Sequence, residues 1–175
     1  SAQDAAGGDG STAVDLAEYM ASQFDPGLSW RDLEWFRSIW DGPLVLKGIQ
    51  SVADARLAAE AGVAAIAVSN HGGRQLDGAP ASFDLLPEIV EAVGGRVEVI
   101  CDGGVRRGSD VVKALAVGAD AVMAGRLYLY ALAAVGEPGV DHVLSLMRSG
   151  MERTMALIGA ATVDDLRPEL VDLGS

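Results

Sequence analysis

Short apolar runs alternate with amphipathic stretches along most of this chain, and a glycine follows most of the amphipathic stretches. Apolar runs bounded by polar residues or glycine predict strands, and apolar positions spaced three and four apart predict helices. The strands are predicted at residues 44–46, 64–68, 97–101 and 121–124. The helices are predicted at residues 29–40, 51–61, 83–93, 109–117 and 140–157.

The predicted strands are apolar throughout rather than alternating, which is typical of a parallel sheet covered on both faces. Two architectures fit this order of strands and helices: a small doubly wound sheet, or four consecutive units of a β/α barrel. A complete eightfold barrel needs about 250 residues, whereas this chain has 175. A barrel here is therefore expected to be only part of one.

Composition narrows the classes of partner and location. Half of the residues are hydrophobic, which permits a sizeable core and argues against disorder. The net charge of −12 disfavours nucleic acid, because nucleic acid binds to a basic surface. The single cysteine, Cys101, excludes an internal disulfide and fits a reducing compartment. Because the chain starts at Ser1 with an acidic, polar stretch, we expect no signal peptide and a chain separated from a longer protein.

Polar side chains follow the predicted strands at their carboxyl ends, where both architectures place their chemistry. Lys47, His71, Asp102 and Arg126 all occupy such positions. Since parallel strands end at the same edge of a sheet, we expect these four side chains to lie near one another. Lys47 taken alone would also suit a Schiff-base lysine or a solvated surface residue.

Two glycine-rich segments suit an anion. Residues 103–108 and the pair Gly125-Arg126 each follow a strand and open a helix, so their free backbone N–H groups can hold a phosphate. The arginines in them supply charge-assisted hydrogen bonds. The loops after the last two strands of a barrel form its usual phosphate site, which favours the last half of a barrel. The alternative is that the glycines only form tight turns and the arginines are surface charges.

The segment Ser69-Asn70-His71-Gly72-Gly73-Arg74-Gln75-Leu76-Asp77-Gly78 suits acid–base chemistry on an anionic organic acid. A histidine directly after a strand can act as a general base near neutral pH. Arg74, in the same loop, can bind a carboxylate through its two parallel N–H groups. The alternative is a structural His71 that caps the loop.

With Leu-Val-Leu-Lys-Gly upstream and Asp-Gly-Gly-Val-Arg-Arg-Gly downstream, this segment resembles the FMN-dependent α-hydroxy acid oxidase and dehydrogenase family. That family includes glycolate oxidase, lactate oxidase and dehydrogenase, and mandelate dehydrogenase. The resemblance implies an α/β fold that is the C-terminal half, strands five to eight with their helices, of a TIM (β/α)8 barrel. This half barrel is expected over residues 17–175, with residues 1–16 as a flexible acidic loop segment.

The resemblance also implies FMN as the cofactor and a role for each site residue. His71 matches the catalytic base and Arg74 the arginine that binds the substrate carboxylate, so both contact the substrate. Lys47 resembles the lysine beside the N1–C2 carbonyl edge of the flavin. Cofactor contacts are implied for Lys47, Ser69, Asp102, Gly104, Arg106, Gly125 and Arg126. This chain has Leu127 where the family often has proline, a departure expected to change the turn after Arg126 without changing the phosphate contact.

The implied function is oxidation of a small α-hydroxy acid to a 2-oxo acid, with activity only when the N-terminal half of the same barrel is present. A homotetramer or octamer in the cytoplasm is implied, with peripheral membrane association left open. One alternative is a catalytically silent half barrel that binds FMN or phosphate. The other is a relative of inosine-monophosphate dehydrogenase, which ranks lower because that family uses a loop cysteine and Cys101 falls in a predicted strand.

Overall fold

The structure is a computed structural model that describes residues 18, 19, 22, 23 and 25–173. It divides into two compact units, Ser1–Asp41 and Gly42–Ser175. The acidic segment predicted at residues 1–16 lies outside the described residues. The sheet and the glycine-rich loops all lie in the second unit.

Helix α1, Asp32–Ile39, lies in the first unit, and it begins three residues later than the predicted helix. Its start is stabilised by the carboxylate of Asp32, whose Oδ2 accepts hydrogen bonds from the N–H and the Oγ of Ser29 at 2.6 and 2.8 Å. These hydrogen bonds, the backbone one foremost, lower the pKa of Asp32. A negative charge in the first turn also interacts favourably with the helix dipole.

Four parallel strands form the sheet of the second unit. They are β1 Val45–Ile49, β2 Ala65–Val68, β3 Glu98–Asp102 and β4 Ala121–Met123, and they lie side by side in chain order. A doubly wound sheet reverses its strand order at a switch point, whereas consecutive barrel units keep chain order. The doubly wound alternative is therefore wrong, and the predicted half barrel is confirmed.

Five helices accompany these strands in the described part of the unit. They are α2 Val52–Glu60, α3 Ser82–Val93, α4 Gly108–Ala116, α5 Arg126–Val135 and α6 Glu137–Ile158, followed by short 3-10 turns at Val163–Asp165 and Pro168–Leu170. The sequence analysis missed α5, because its ten residues are almost all apolar and show no polar face. It also placed the start of α6 three residues too late.

Burial falls off from the middle of the sheet to its two edges. Strand β2 is buried along its whole length. The side chains of Ile66 within it, and of Leu86 and Ile89 on α3, are fully buried. The outer strands β1 and β4 expose alternate residues, including Val45 and Met123. The core therefore lies over β2 and β3, and apolar side chains remain uncovered at both edges.

Helices α4 and α6 approach each other backbone to backbone at two glycines. A Cβ added to Gly150 would lie 3.2 Å from the amide nitrogen of Gly108, and a Cβ added to Gly108 would overlap the backbone of α6 near Met151. Only glycine fits such a crossing without displacing a helix. The crossing fixes the start of α4, and with it the end of the glycine-rich loop at residues 103–108.

Candidate active site

Three adjacent strands bring a lysine, a serine and an aspartate together at their carboxyl ends. Lys47 Nζ donates to Ser69 Oγ at 2.9 Å and forms an ion pair with Asp102 Oδ2, also at 2.9 Å. The Ser69 side chain is fully buried, whereas 45% of the Lys47 side chain and 15% of the Asp102 side chain are exposed. Lys47 and Asp102 thus meet as predicted, and Ser69, which follows the strand between theirs, contacts the same ammonium group.

The second carboxylate oxygen of Asp102, Oδ1, is buried and has no hydrogen-bond partner within the described part of the chain. A buried carboxylate oxygen without a donor is costly, by about 1–3 kcal/mol or more. A hydroxyl group of a bound ligand would supply the donor. This atom therefore marks one wall of the site as suited to a polyhydroxyl group.

His71 adopts a backbone conformation that is uncommon for residues other than glycine. Its φ is 57°, and among the described residues it is the one non-glycine residue with a positive φ. Its N–H donates to Ser69 Oγ at 3.1 Å, so its backbone contacts the cluster of Lys47, Ser69 and Asp102. Such strain persists only where the surroundings impose it, and it concentrates at functional sites.

Glycine at position 48 leaves room for the His71 ring. Strand β1 has an irregular register between Lys47 and Ile49, where Gly48 has a φ of 100°. A Cβ on Gly48 would lie 2.9 Å from Cε1 and 3.4 Å from Nε2 of His71. The imidazole therefore packs directly against the backbone of β1, beside Lys47.

Asn70 holds the loop that follows β2. Its Oδ1 accepts the N–H groups of Gly72 and Gly73 at 3.0 and 3.2 Å, and its Nδ2 donates to the carbonyl of Pro80 at 3.1 Å. Its own N–H donates to the buried Ser82 Oγ. Sequence reasoning missed Asn70, although asparagine before glycines is a common turn signal.

Arg126 reaches this same loop from the start of α5. Its Nη2 donates to the carbonyl oxygen of Gly72 at 2.9 Å. A Cβ on Gly72 would lie 2.9 Å from that nitrogen, so a larger residue there would displace the guanidinium. The guanidinium that the sequence assigned to a phosphate thus also contacts the residue after His71.

The glycine-rich loop before α4 differs in part from the prediction. Asp110 Oδ2 accepts the N–H groups of Arg106 and Arg107, both at 2.9 Å, so the prediction that these N–H groups are free for an anion is wrong. Around Gly104 the space is open, since a Cβ there would meet nothing within 4 Å. No side chain caps the first turn of α5, which follows Gly125.

The remaining predicted residues stand apart from the cluster. The Arg74 and Arg106 residues are exposed, and their guanidinium groups make no hydrogen bond or ion pair within residues 25–173. Both are free to meet an anion. The described residues contain no group of acidic, histidine and cysteine side chains that could hold a metal ion.

Residues 2–173 match the family of FMN-dependent dehydrogenases. The chain belongs to this family. The predicted resemblance is therefore confirmed, and the inosine-monophosphate dehydrogenase alternative loses its support. Cys101 is not placed like the loop cysteine of that alternative family, because its thiol is buried in β3. Burial, together with the nearby Asp102 charge, raises the pKa of this thiol to about 11, which disfavours a reactive thiolate.

Relatives within the FMN-dependent dehydrogenase family differ in what they act on. An L-lactate oxidase of Nostoc sp. is 54% identical over 158 residues, 90% of this chain and 43% of that protein. A pre-mycofactocin synthase of Mycolicibacterium smegmatis is 55% identical over 144 residues, 82% of this chain and 36% of that protein. A solved structure of mandelate oxidase with (S)-2-phenylpropionate has a TM-score of 0.78 and 49% identity, covering 81% of this chain and 42% of that one. This chain thus spans less than half the length of these relatives.

The residues present fit the cofactor of an FMN-dependent dehydrogenase. The ribityl chain of FMN carries hydroxyl donors that would satisfy the orphaned Oδ1 of Asp102. Its phosphate is an anion of the kind that the exposed Arg106, Arg126 and the uncapped start of α5 can bind.

In the described part of the chain, no helix is both long enough and apolar enough to cross a membrane.

Proposed function

We propose that this chain forms the half of an FMN-dependent oxidoreductase that carries the phosphate site and the catalytic base. The reaction is oxidation of an α-hydroxy acid to a 2-oxo acid. The observation that carries the proposal is the cluster of Lys47, Ser69 and Asp102 beside the strained His71, in a chain of this family. The buried carboxylate oxygen Oδ1 of Asp102, which has no donor within the described residues, supports the same function, because the hydroxyl groups of FMN would supply one.

Each residue on the cofactor side would bind a different part of FMN. Lys47 would supply a fixed positive charge to the flavin ring, and Ser69, which accepts a hydrogen bond from Lys47, would contact the ring from the end of β2. Asp102 would accept a ribityl hydroxyl through Oδ1. The phosphate would be bound by Gly104, Arg106, Gly125 and Arg126. When bound, FMN supplies the acceptor for two electrons.

On the substrate side, His71 would remove a proton while the substrate is oxidised. Its ring makes no hydrogen bond within the described residues, so no protein partner blocks an imidazole nitrogen from accepting that proton. Arg74, three residues further along the loop, would bind the substrate carboxylate and fix its orientation. The exposure of both residues suits a site that a small acid enters from solvent.

The proposed enzyme includes the N-terminal half of the barrel, carried on the same polypeptide or on a second one. The uncovered edges at β1 and β4 would pair with that half, because unpaired strand edges and exposed apolar positions favour association. We call this assembly the complete barrel. A cytoplasmic homotetramer or octamer remains the expected form.

The test is the visible absorption spectrum of the purified complete barrel. We expect flavin bands that bleach anaerobically on addition of L-lactate or mandelate. His71→Ala should retain the flavin and lose most of the turnover, whereas Arg106→Ala should weaken flavin retention. Bound flavin that no hydroxy acid reduces would leave only a silent FMN-binding module, and a complete barrel without flavin would contradict the cofactor.

A second candidate is the same flavin chemistry on the substrate of a pre-mycofactocin synthase. It is supported by the 55% identity to that enzyme, which is within one percentage point of the 54% identity to the lactate oxidase. The two candidates differ in the same spectroscopic experiment. Bleaching by the precursor of pre-mycofactocin, with no bleaching by any α-hydroxy acid, would select the second.

A further inference from the structure

Arg126 connects two parts of the site that are distant in sequence. Its Nη2 donates to the carbonyl of Gly72 at 2.9 Å, across 54 residues of chain. Gly72 directly follows His71, so this contact lies one peptide unit from the base. The same guanidinium stands at the uncapped first turn of α5, where the phosphate is proposed to bind.

Within the described part of the chain, this contact is the one hydrogen bond that joins residues 71–78 to an element other than their own loop. The other hydrogen bonds to the backbone of His71, Gly72 and Gly73 come from Ser69 and Asn70, which belong to the same loop. The segment from Gly73 to Gly78 is exposed. Because Arg126 is the anchor of residues 71–78 from outside the loop, its loss should have a large effect on their placement.

An arginine has enough donors to bind a phosphate and a carbonyl at once. The guanidinium carries five N–H groups in a planar fork, and the Gly72 carbonyl takes one of them. The remaining edge of Arg126 can still bind a phosphate through two parallel hydrogen bonds. Phosphate binding would then immobilise the guanidinium while it holds the loop.

We propose that Arg126 bridges the cofactor phosphate and the Gly72 carbonyl, so that occupation of the phosphate site fixes the loop that positions His71. This inference rests on the proposed function and adds a positioning role to the phosphate contact of Arg126. By linkage, the coupling is reciprocal. A change that breaks the contact from the loop side must weaken FMN binding, even though the loop residue never touches the phosphate.

Two adjacent glycines provide a matched pair of variants for the test. Gly72 and Gly73 have φ values of 69° and 71°, so alanine is equally strained at both. A Cβ on Gly72 would press on Arg126 Nη2, whereas a Cβ on Gly73 would meet nothing within 4 Å. In the complete barrel, Gly72→Ala should raise the Kd for FMN by about 5-fold or more relative to Gly73→Ala, at the lower end of typical couplings. Riboflavin, which lacks the phosphate, should bind the two variants equally.

A second pair tests the arginine itself by hydrogen exchange of residues 71–78 with and without FMN. Arg126→Lys removes the planar guanidinium that contacts Gly72. The control, Arg106→Lys, removes the guanidinium of an arginine that is also proposed to bind the phosphate but has no hydrogen bond to this loop. At saturating FMN we expect slower exchange of the loop in the wild type and in Arg106→Lys. In Arg126→Lys the loop should exchange at the same rate with and without FMN.

Equal FMN affinities of Gly72→Ala and Gly73→Ala would overturn the bridge, as would FMN protection of the loop in Arg126→Lys. A shared loss of riboflavin and FMN affinity in Gly72→Ala would also overturn it, because the effect would then not involve the phosphate. Failure of the proposed function looks different. In that case the wild-type complete barrel binds no FMN, or it binds FMN that no α-hydroxy acid reduces, whatever the glycine and arginine variants do.

Discussion

Lys47 Nζ lies 2.9 Å from Asp102 Oδ2, so the ends of β1 and β3 are joined across β2. Lys47→Met would leave the mostly buried Asp102 carboxylate without a cation. Because the lysine is 45% exposed, we expect the free energy of unfolding to fall by about 1–2 kcal/mol, less than for a fully buried pair. Urea denaturation of the wild-type and Lys47→Met complete barrels measures this change in the free energy of unfolding.

The control for this pair is a double-mutant cycle with Asp102→Asn. In the Lys47→Met background the second substitution removes the unpaired charge, so it should recover most of the lost stability. Strictly additive effects of the two substitutions would contradict the coupling.

Gly48→Ala should impair the placement of the base. The new Cβ would lie 2.9 Å from His71 Cε1, so the ring must move. A displacement of about 1 Å can cost up to about 100-fold in rate, and we expect kcat to fall roughly 10-fold with FMN retained. Gly118→Ala is the control, since its φ of 109° is similar and its Cβ would crowd Val90 at 2.7 Å, remote from His71. An equal fall of kcat in both variants would attribute the effect to strain alone.

Asn70→Ala should loosen the loop after β2. The substitution removes the acceptor for two N–H groups and the donor to Pro80, each worth about 0.5–1.5 kcal/mol. Arg74 is the one trypsin site between residues 71 and 82, so cleavage after it reports loop opening. We expect cleavage about 10-fold faster, followed by mass spectrometry, with Asn70→Asp intermediate because it keeps the acceptor. If Asn70→Ala were cleaved at the wild-type rate, the hydrogen bonds of the Asn70 side chain would not be what holds the loop closed.

Cys101 should make stability depend on alkaline pH. Burial raises the pKa of its thiol from 9.0 to about 11, so between these values the unfolded chain loses a proton that the folded chain keeps. The free energy of unfolding should therefore fall as pH rises from 9 to 11, by about 2–3 kcal/mol. Comparison with Cys101→Ala isolates this contribution from other groups that titrate there. Parallel pH profiles of the two proteins would disprove it.

The site cluster was predictable because it follows from the direction of the strands. Apolar runs ending in Lys47, Ser69 and Asp102 place these residues at one edge once the sheet is parallel. The role of Asp110 was also within reach, since an acidic residue three positions after Arg107 matches the capping-box spacing. Helix α5 could not be predicted, because a segment that is apolar nearly throughout shows no helical periodicity of polar and apolar residues.

Contacts that depend on tertiary structure had no signal in the sequence. The approach of Gly48 to the His71 ring depends on a register irregularity in β1. The Arg126 contact with Gly72 depends on how loops from β2 and β4 meet. Neither residue pair is linked by spacing or by a motif, so only the folded structure reveals these contacts.

The glycine crossing of α4 and α6 sets a rule for recombining members of this family. Gly108 and Gly150 occupy the same contact from opposite sides, so a chimera that inherits one without the other risks forcing the two helices apart. The displaced element would be the start of α4, directly after Arg106 and Arg107. Exchange points outside residues 108–150 keep the pair together, and with it the anchor of the glycine-rich loop.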